Sequence, residues 1–311
     1  MAKTSILVTG GAGFIGSSLV HELSKDENVR IVAVDNFLTG DARRLPKKDN
    51  VHFIKADVNN FGDISSIFFR FRFDYVFHYA AVVGVKRTLE QPVLVLDDLT
   101  GIKNILDLCK NTDVKRVFFS SSSEVYGEPV ELPQNEHTTP LNSRLPYAIV
   151  KNVGEAFLKS YKQEYDLDHT IFRFFNTYGP LQSKDFVVSK FIAQALKGND
   201  ITIYGDGSQT RTFCYVDDNI SACVNAFKQD KCVNDVVNIG SSKEITVLEL
   251  AETIIKVVKS KSKIVHLPPL EEGDMSRRLP DTDKMLQLLQ REPISLEEGL
   301  SRIVANPDFI L

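Results

Sequence analysis

The sequence feature that most constrains the fold is a glycine-rich turn close to the start of the chain. It reads Thr9-Gly-Gly-Ala-Gly-Phe-Ile-Gly16, it follows an apolar run at residues 6–8, and it leads into an amphipathic segment. Glycine allows a tight turn and a close approach of the backbone to a pyrophosphate, and a helix N-terminus offers amide donors to the same group. The next apolar run, residues 31–34, ends in Asp35. This spacing predicts a strand, turn and helix that bind a dinucleotide, with Asp35 on the adenosine ribose.

Composition places the chain among globular proteins. It has 311 residues, of which 43% are hydrophobic, and a net charge of −4. These values suit one large or two unequal domains, and they favour neither nucleic acid nor an anionic membrane as a partner. No apolar run approaches the roughly 18 residues that a membrane-spanning helix needs. The four cysteines show no metal-ligand spacing, so we expect reduced thiols, no bound metal and a cytoplasmic location.

Apolar runs alternate with amphipathic segments through the first half of the chain. We predict strands at residues 5–9, 30–35, 51–55, 75–78, 116–120 and 169–174. We predict helices at residues 15–24, 61–70, 92–111 and 147–165. Strands that are apolar throughout and alternate with helices are typical of a parallel sheet covered on both faces. The expected fold class is therefore α/β, with a Rossmann-type doubly wound parallel sheet.

After residue 176 the predicted elements become shorter and turns become more frequent. The predicted elements are helices at 187–197, 217–228, 246–258 and 295–305, and strands at 201–204, 211–215 and 236–240. Two of these helices begin with a capping-box sequence, Thr246 with Glu249 and Ser295 with Glu298. We therefore expect a smaller, mixed α/β lobe for the substrate. The predicted boundaries place residues 1–175 and about 215–236 in the dinucleotide-binding domain, and residues 176–214 and 237–311 in the second lobe.

A tyrosine and a lysine form the main candidate catalytic pair. Tyr147 and Lys151 lie four residues apart, so a helix would present both on one face. A neighbouring cation lowers the pKa of a tyrosine from about 10, and the phenolate could then accept a proton from a sugar hydroxyl. A run of serines at residues 120–123 follows a predicted strand. Because ligands of a doubly wound sheet bind at the carboxyl ends of its strands, these hydroxyls could bond the reacting group.

Taken together, these segments resemble the extended short-chain dehydrogenase/reductase superfamily, in its nucleotide-sugar epimerase/dehydratase branch. The matching segments run in family order over nearly the whole chain and are the turn at 9–16, Asp35-Asn-Phe37 with Thr39-Gly40, Asp57-Val58, His78-Tyr-Ala-Ala81, the segment 120–127, Tyr147 with Lys151, the segments 173–180, 211–218 and 238–240, and Gly273-Asp274 with Asp281. The resemblance implies a tightly held NAD that is reduced and reoxidised within one turnover. It also implies a nucleoside diphosphate sugar, most often a UDP-sugar, that is oxidised transiently at C4.

The resemblance also implies roles for individual residues. The implied catalytic residues are Tyr147 as base, Lys151 as the cation that lowers its pKa, and Ser122, Ser123 and Glu124. The residues expected around NAD are Gly10, Gly13, Phe14, Ile15, Gly16, Asp35, Asn36, Phe37, Thr39, Gly40, Asp57, Val58, Tyr79, Ala80, Ala81, Val83, Ser120, Ser121, Tyr147, Lys151 and Phe174. Those expected around the nucleotide sugar are Val85, Lys86, Asn176, Val187, Val188, Phe191, Ile203, Tyr204, Arg211, Arg277 and Arg278. In the family, the helices that correspond to 92–111 and 147–165 pair across a two-fold axis, so we expect a homodimer.

The residue before Val-Tyr-Gly bears on the net reaction. Glu124 stands there, where many 4-epimerases carry a small or neutral residue, and where 4,6-dehydratases and UDP-glucuronate decarboxylases often carry glutamate. A carboxylate near C5 can remove the proton that a 4-keto group acidifies, which favours dehydration, decarboxylation or 5-epimerisation. Ser123 stands where dehydratases commonly have the acid for C6, and the usual long insert of decarboxylases before the tyrosine is absent.

Other outcomes stay open at this point. Glu124 could serve only a hydrogen bond to nearby backbone, and the protein would then be a UDP-hexose 4-epimerase. Glu271 stands where many 4-epimerases place an arginine on the diphosphate, a departure that Arg277 or Arg278 could compensate. A net reductase with exchangeable NADPH is disfavoured by Asp35, because its carboxylate would repel the additional phosphate. A non-catalytic dinucleotide sensor is disfavoured by the intact tyrosine–lysine pair.

Overall fold

The computed structural model describes residues 3–268 and 277–306. By its internal contacts the chain divides into two compact units. The first comprises Met1–Val125, Ser143–Arg173 and Ile220–Val237, and the second comprises Tyr126–Asn142, Phe174–Asn219 and Asn238–Leu311. The segment 126–142, predicted in the dinucleotide-binding domain, therefore belongs to the second unit.

The elements follow one another in an alternating order. Up to residue 174 they are β1 (Thr4–Thr9), α1 (Phe14–Leu23), β2 (Val29–Asp35), β3 (Val51–Lys55), α2 (Phe61–Phe71), β4 (Tyr75–His78), α3 (Val85–Glu90), α4 (Pro92–Leu96), α5 (Asp98–Asn111), β5 (Arg116–Ser122), α6 (Pro146–Tyr165) and β6 (Asp168–Phe174). The later elements are β7 (Thr177–Tyr178), α7 (Val187–Leu196), β8 (Ile201–Tyr204), β9 (Thr210–Thr212), β10 (Cys214–Tyr215), α8 (Val216–Lys228), β11 (Asp235–Ile239), β12 (Glu244–Thr246), α9 (Val247–Val258), β13 (Ile264–Leu267), α10 (Asp283–Leu289) and α11 (Leu296–Ala305).

A seven-stranded sheet forms the centre of the first unit, with the strand order β11-β6-β5-β4-β1-β2-β3. The pairs β1–β2, β2–β3, β1–β4 and β4–β5 are parallel. Ile6, Leu7 and Val8 of β1 are fully buried, as the uninterrupted apolar run requires. The chain moves outward from β1 to β3 and then returns to β4 on the other side of β1. This reversal of strand order creates the crevice in which doubly wound sheets bind ligands, and it confirms the predicted fold class.

Three predictions about the elements were wrong. The helix expected at 92–111 is divided into two helices, α4 and α5. At the division the Thr100 amide donates to the carbonyl of Asp97, three residues back, whereas an α-helical amide donates to the fourth residue back. The strand expected at 211–215 is two strands, since β9 pairs with β12 whereas β10 pairs with β7. The strand expected at 236–240, most of which the predicted boundaries placed in the second lobe, is β11, at the edge of the large sheet beside β6.

Small two-stranded sheets and helices build the second unit. β9 and β12 are antiparallel, and β8 and β13 are parallel. The predicted capping box at Thr246 and Glu249 is present at the start of α9. Ser295 caps α11 by accepting the amide of Glu298. Among the helices of residues 3–268 and 277–306, none combines the length and the hydropathy that crossing a membrane would require.

Candidate active site

The glycine turn after β1 has no space for a side chain at two of its positions. Gly10 has φ of +65°, and a Cβ there would lie 2.7 Å from the backbone nitrogen of Ala80. A Cβ on Gly16 would overlap the carbonyl oxygen of Gly10. Gly13 caps α1 without any side-chain hydrogen bond, so the amides of the first turn keep their capacity to bind an anion. These amides belong to Phe14, Ile15 and Gly16. The turn therefore fits the pyrophosphate of a dinucleotide.

Asp35 ends β2 beside this turn. Its carboxylate accepts the amide of Ala12 at 3.1 Å and the amide of Phe37 at 2.8 Å. A Cβ on Gly40 would lie 2.5 Å from the same carboxylate, so any larger residue there would displace it. The carboxylate is therefore fixed next to the pyrophosphate cradle, as binding of an adenosine ribose requires.

The neighbouring residues predicted for the adenosine lie at the ends of β2 and β3. Asn36 donates to Asp57 at 3.1 Å, and Phe37 stacks on Phe53 with ring centroids 5.1 Å apart. Thr39 is exposed. Val58 is buried in the hydrophobic core, where it faces α5 rather than solvent.

The end of β4 is held by a buried hydrogen-bond network. Thr9 Oγ1 lies 2.8 Å from His78 Nδ1 and accepts the amides of Tyr79 and Ala80 at 3.2 Å each. Burial and the Lys151 charge lower the pKa of His78 to about 3, so this imidazole is neutral. The Tyr79 ring is buried. Ala80, Ala81 and Val83, the other residues predicted for NAD after β4, are partly exposed.

The catalytic residues predicted from the sequence meet where β5 ends against α6. The Ser122 hydroxyl and the Glu124 carboxylate both lie close enough to the phenol of Tyr147 to act on its pKa. The Lys151 ammonium lies 3.5 Å from Ser120 Oγ and 5.7 Å from the centre of the Tyr147 ring. Ser123 is buried.

The predicted effect of Lys151 on Tyr147 does not appear in this arrangement. Burial raises the pKa of Tyr147 above its ordinary value, and the charges of Glu124 and Asp98 raise it further, whereas the nearby Ser122 hydroxyl opposes them. The ammonium lies against the rings of Tyr147 and Phe119 rather than on the phenol oxygen. Burial also lowers the pKa of Lys151 to about 8. Burial and these two carboxylates thus favour the neutral phenol in this arrangement.

Asp98 is a site residue that sequence reasoning missed. Its carboxylate accepts the amide of Val82 at 2.7 Å, and its charge acts on both Lys151 and Tyr147. Burial raises the pKa of Asp98. An acid in the first turn of a helix is common, so nothing in the sequence distinguishes Asp98 from a residue that only stabilises α5.

The second unit gathers several residues predicted for the nucleotide sugar. Asn176 donates to the carbonyl of Thr212, next to Arg211 on β9. On the paired strand β12, Glu244 accepts the Nε of Arg277 at 2.6 Å and the hydroxyl of Thr210 at 3.0 Å. Arg277 is thus paired with the Glu244 carboxylate. This hydrogen-bonded ion pair lowers the pKa of Glu244.

The remaining residues predicted for the nucleotide sugar differ in exposure. Val188, Phe191 and Ile203 are buried core residues of the second unit, whereas Tyr204 is 40% exposed. Val187 begins α7 and is partly exposed, as is Arg278. Val85 and Lys86 lie in α3, and Phe174 ends β6. The family segment with Glu271, Gly273 and Asp274 lies outside the described residues.

Comparisons with known proteins agree with this geometry. The NAD dependent epimerase/dehydratase family matches residues 6–240. A putative UDP-glucose 4-epimerase of Methanocaldococcus jannaschii is 36% identical over 96% of the chain and 97% of its own length. A UDP-N-acetyl-alpha-D-glucosaminuronate decarboxylase of Bacillus cytotoxicus is 36% identical over 97% of both chains. The crystal structure of UDP-glucose 4-epimerase from Thermotoga maritima with UDP-glucose superposes with a TM-score of 0.91, at 33% identity and 97% coverage of both chains.

The chain therefore belongs to the NAD dependent epimerase/dehydratase family. This confirms the resemblance found in the sequence, and it confirms NAD as the cofactor. Its relatives act on nucleotide sugars, as their names state. These relatives include both epimerases and decarboxylases at the same identity, so similarity alone does not choose between the two reactions.

Proposed function

We propose that the protein converts a UDP-sugar by transient oxidation at C4, with Tyr147 as the base and NAD retained throughout. The observation that carries this proposal is the meeting of Tyr147, Lys151 and Ser122 at the carboxyl end of β5. β5 is paired to β4, and β4 to β1, whose turn forms the pyrophosphate cradle. The acid–base residues and the dinucleotide cradle thus share one edge of one sheet.

The 4-hydroxyl of the sugar would lose its proton to Tyr147. When bound, oxidised NAD supplies a hydride acceptor and a positive charge. A positive charge beside Tyr147 would favour its ionised form, against the burial and the carboxylates that raise its pKa. The Ser122 hydroxyl, which lies near the phenol, would bond both Tyr147 and the sugar oxygen and so complete the path of the proton.

Glu124 extends the proposal to C5. A 4-keto group acidifies the C5 proton, and the Glu124 carboxylate lies near the phenol that would face C4. It can therefore take a proton from C5, as dehydration or 5-epimerisation requires, or give one to C5 after the C6 carboxylate leaves as carbon dioxide. We favour this C5 chemistry as the net reaction.

4-Epimerisation is the second candidate. It is favoured by the relative from M. jannaschii and by the T. maritima structure, both of which carry that activity in their names. In that case Tyr147 returns the proton to the inverted C4 hydroxyl, and Glu124 takes no part. The partly exposed position of Glu124 accommodates both candidates.

Turnover in deuterated water tests the proposal. The protein is incubated with UDP-glucuronate, UDP-glucose and UDP-N-acetylglucosamine, and the products are analysed by NMR and mass spectrometry. Deuterium at C5 means C5 chemistry, and this label should be lost in Glu124→Gln while C4 oxidation persists. Unlabelled inversion at C4 means epimerisation. If the Tyr147→Phe protein turns over as fast as the natural one, the proposed role of the tyrosine is wrong.

We also propose a homodimer formed through α4 and α6. Val93 is 71% exposed, Leu96 is 42% exposed and Ile149 is 40% exposed, and α4 packs on α6. An apolar surface of this kind is typical of an interface between protein chains. Light scattering at micromolar concentration should give twice the 34.9 kDa of one chain. Val93→Glu should reduce the mass to one chain, whereas Phe69→Glu, on the exposed face of α2, should not.

A further inference from the structure

Three consecutive serines at the end of β5 lie near three different residues of α6, and the first two of them form hydrogen bonds there. The pairs are Ser120 with Lys151, Ser121 with Glu155, and Ser122 with Tyr147. The three α6 residues follow one another at intervals of four, so they lie on one face of the helix. Two of the pairs contain Lys151 or Tyr147 of the proposed catalytic site. In the third, Ser121 is expected near NAD, but Glu155 has no expected role in the site.

Glu155 is bound more firmly than the other two α6 residues. Its Oε1 accepts the hydroxyl of Ser121 at 2.5 Å and the Nε of Arg173 at 2.9 Å. Its Oε2 accepts the Nη2 of Arg173 at 2.7 Å. The two charged side chains are 1% and 2% exposed. This buried, two-pronged ion pair connects α6 to β5 and to β6.

We infer that Glu155 is a positioning residue, which holds Tyr147 and Lys151 of α6 in register with the serines of β5. The inference rests on the proposed function, because it concerns the same phenol. Tyr147 lies two helical turns before Glu155, so a shift of the helix at Glu155 moves the phenol away from Ser122. Displacement of a reacting group by about 1 Å can lower a rate about a hundredfold.

The burial of this pair argues against a role in stability alone. Two charges lose their hydration on burial, and apolar side chains of similar volume often give equal or greater stability. Such a substitution would, however, remove the acceptor of the Ser121 hydroxyl. The geometry thus separates the two roles, because a neutral apolar pair can restore the folding but cannot restore the contact with β5.

The test compares Glu155→Met, Arg173→Met and the protein with both changes. Each single variant leaves one buried charge unpaired and should lose stability. The double variant should unfold within about 5 °C of the natural protein. Its kcat should nevertheless stay about tenfold to a hundredfold lower, with KM for the UDP-sugar changed by less than about threefold and NAD retained. Recovery of kcat together with stability would overturn the inference.

Ser121→Ala provides a second variant, which keeps the ion pair and removes only the contact with β5. We expect kcat to fall about threefold to tenfold, and Ser121→Thr, which keeps a hydroxyl, to restore it. Amide hydrogen exchange in the first turns of α6 should rise in Ser121→Ala without a change in melting temperature. Unchanged kcat and unchanged exchange would contradict the inference, even if the double variant failed to fold.

The matched control is Arg116→Met, at the opposite end of β5. Arg116 is 2% exposed and donates to the carbonyl of Ala226, so its loss also removes a buried arginine and its hydrogen bonds. We expect lower stability with kcat and α6 exchange unchanged. The exchange measurement does not require turnover. If no UDP-sugar is converted by the natural protein, the proposed function fails while the contact between α6 and β5 is still tested.

Discussion

The two units hold their candidate ligand-binding residues by different physical means. In the first, the backbone fixes the site, because a Cβ on Gly10 or Gly16 has no room and Asp35 is clamped by two amides. In the second unit, half-exposed side chains fix the candidate site. Arg277, for example, is 47% exposed in its ion pair with Glu244. Buried backbone geometry tolerates few substitutions, whereas exposed ion pairs contribute little and respond to salt. We therefore expect large, specific effects in the first unit and small, salt-dependent effects in the second.

The largest effect should come from Tyr147→Phe. Removal of the phenol oxygen abolishes proton transfer, and a general base typically contributes about a hundredfold to ten-thousandfold to a rate. We expect a loss of that size in turnover of the UDP-sugar, with NAD still present after purification. Tyr165→Phe is the control, because Tyr165 is on the same helix and is 49% exposed. Loss of NAD in Tyr147→Phe would mean that the tyrosine mainly binds the cofactor.

Gly10→Ala should have the next largest effect. The residue has φ of +65°, and its Cβ would lie 2.7 Å from the Ala80 nitrogen, so strain of about 1–3 kcal/mol adds to the overlap. We expect the purified protein to lose NAD, as measured by the dinucleotide released on denaturation. Gly62→Ala is the control, since a Cβ there meets only Asn60 Oδ1, at 3.3 Å. Full NAD content in Gly10→Ala would show that the turn is less rigid than its geometry indicates.

The same difference explains what the sequence could predict. The glycine turn, Asp35 and the Tyr147–Lys151 pair depend on local spacing, so the large sheet was predictable, and so was the edge on which the candidate site lies. The contact of Arg277 with Glu244 joins residues 33 positions apart, and no local pattern indicates it. Asp98 was missed for the same reason.

Longer-range packing also explains the errors in the fold. β11 lies beside β6, although about sixty residues separate the two strands in the sequence, so its place at the edge of the large sheet depends on sheet packing rather than on a local pattern. The raised pKa of Tyr147 could not be predicted either. The helix spacing indicates that Lys151 is near Tyr147, but not that burial and the charges of Glu124 and Asp98 raise the pKa of the phenol.

The third prediction concerns acid stability of the first unit. His78 has a pKa of about 3 in the folded state and 6.5 in the unfolded chain. Below pH 6.5 its imidazole is therefore protonated in the unfolded state but stays neutral in the folded state. Stability should fall by about 2 kcal/mol between pH 7 and pH 5 from this group alone. His78→Asn, which can still bond Thr9, should flatten that part of the pH dependence in urea unfolding. His52→Asn, at an exposed position, should leave it as it is.

The smallest effect is expected for Glu244→Gln in the second unit. If Arg277 binds the diphosphate, Glu244 competes for the same guanidinium and repels the ligand. Loss of its charge should therefore tighten UDP binding by about threefold at low salt, and the difference should disappear near 0.5 M salt because exposed charges are screened. Isothermal titration with UDP measures both values, and Glu252→Gln on α9 controls for net charge. Weaker UDP binding in Glu244→Gln would mean instead that the carboxylate orients Arg277 toward the ligand, and the second unit would then be as preorganised as the first.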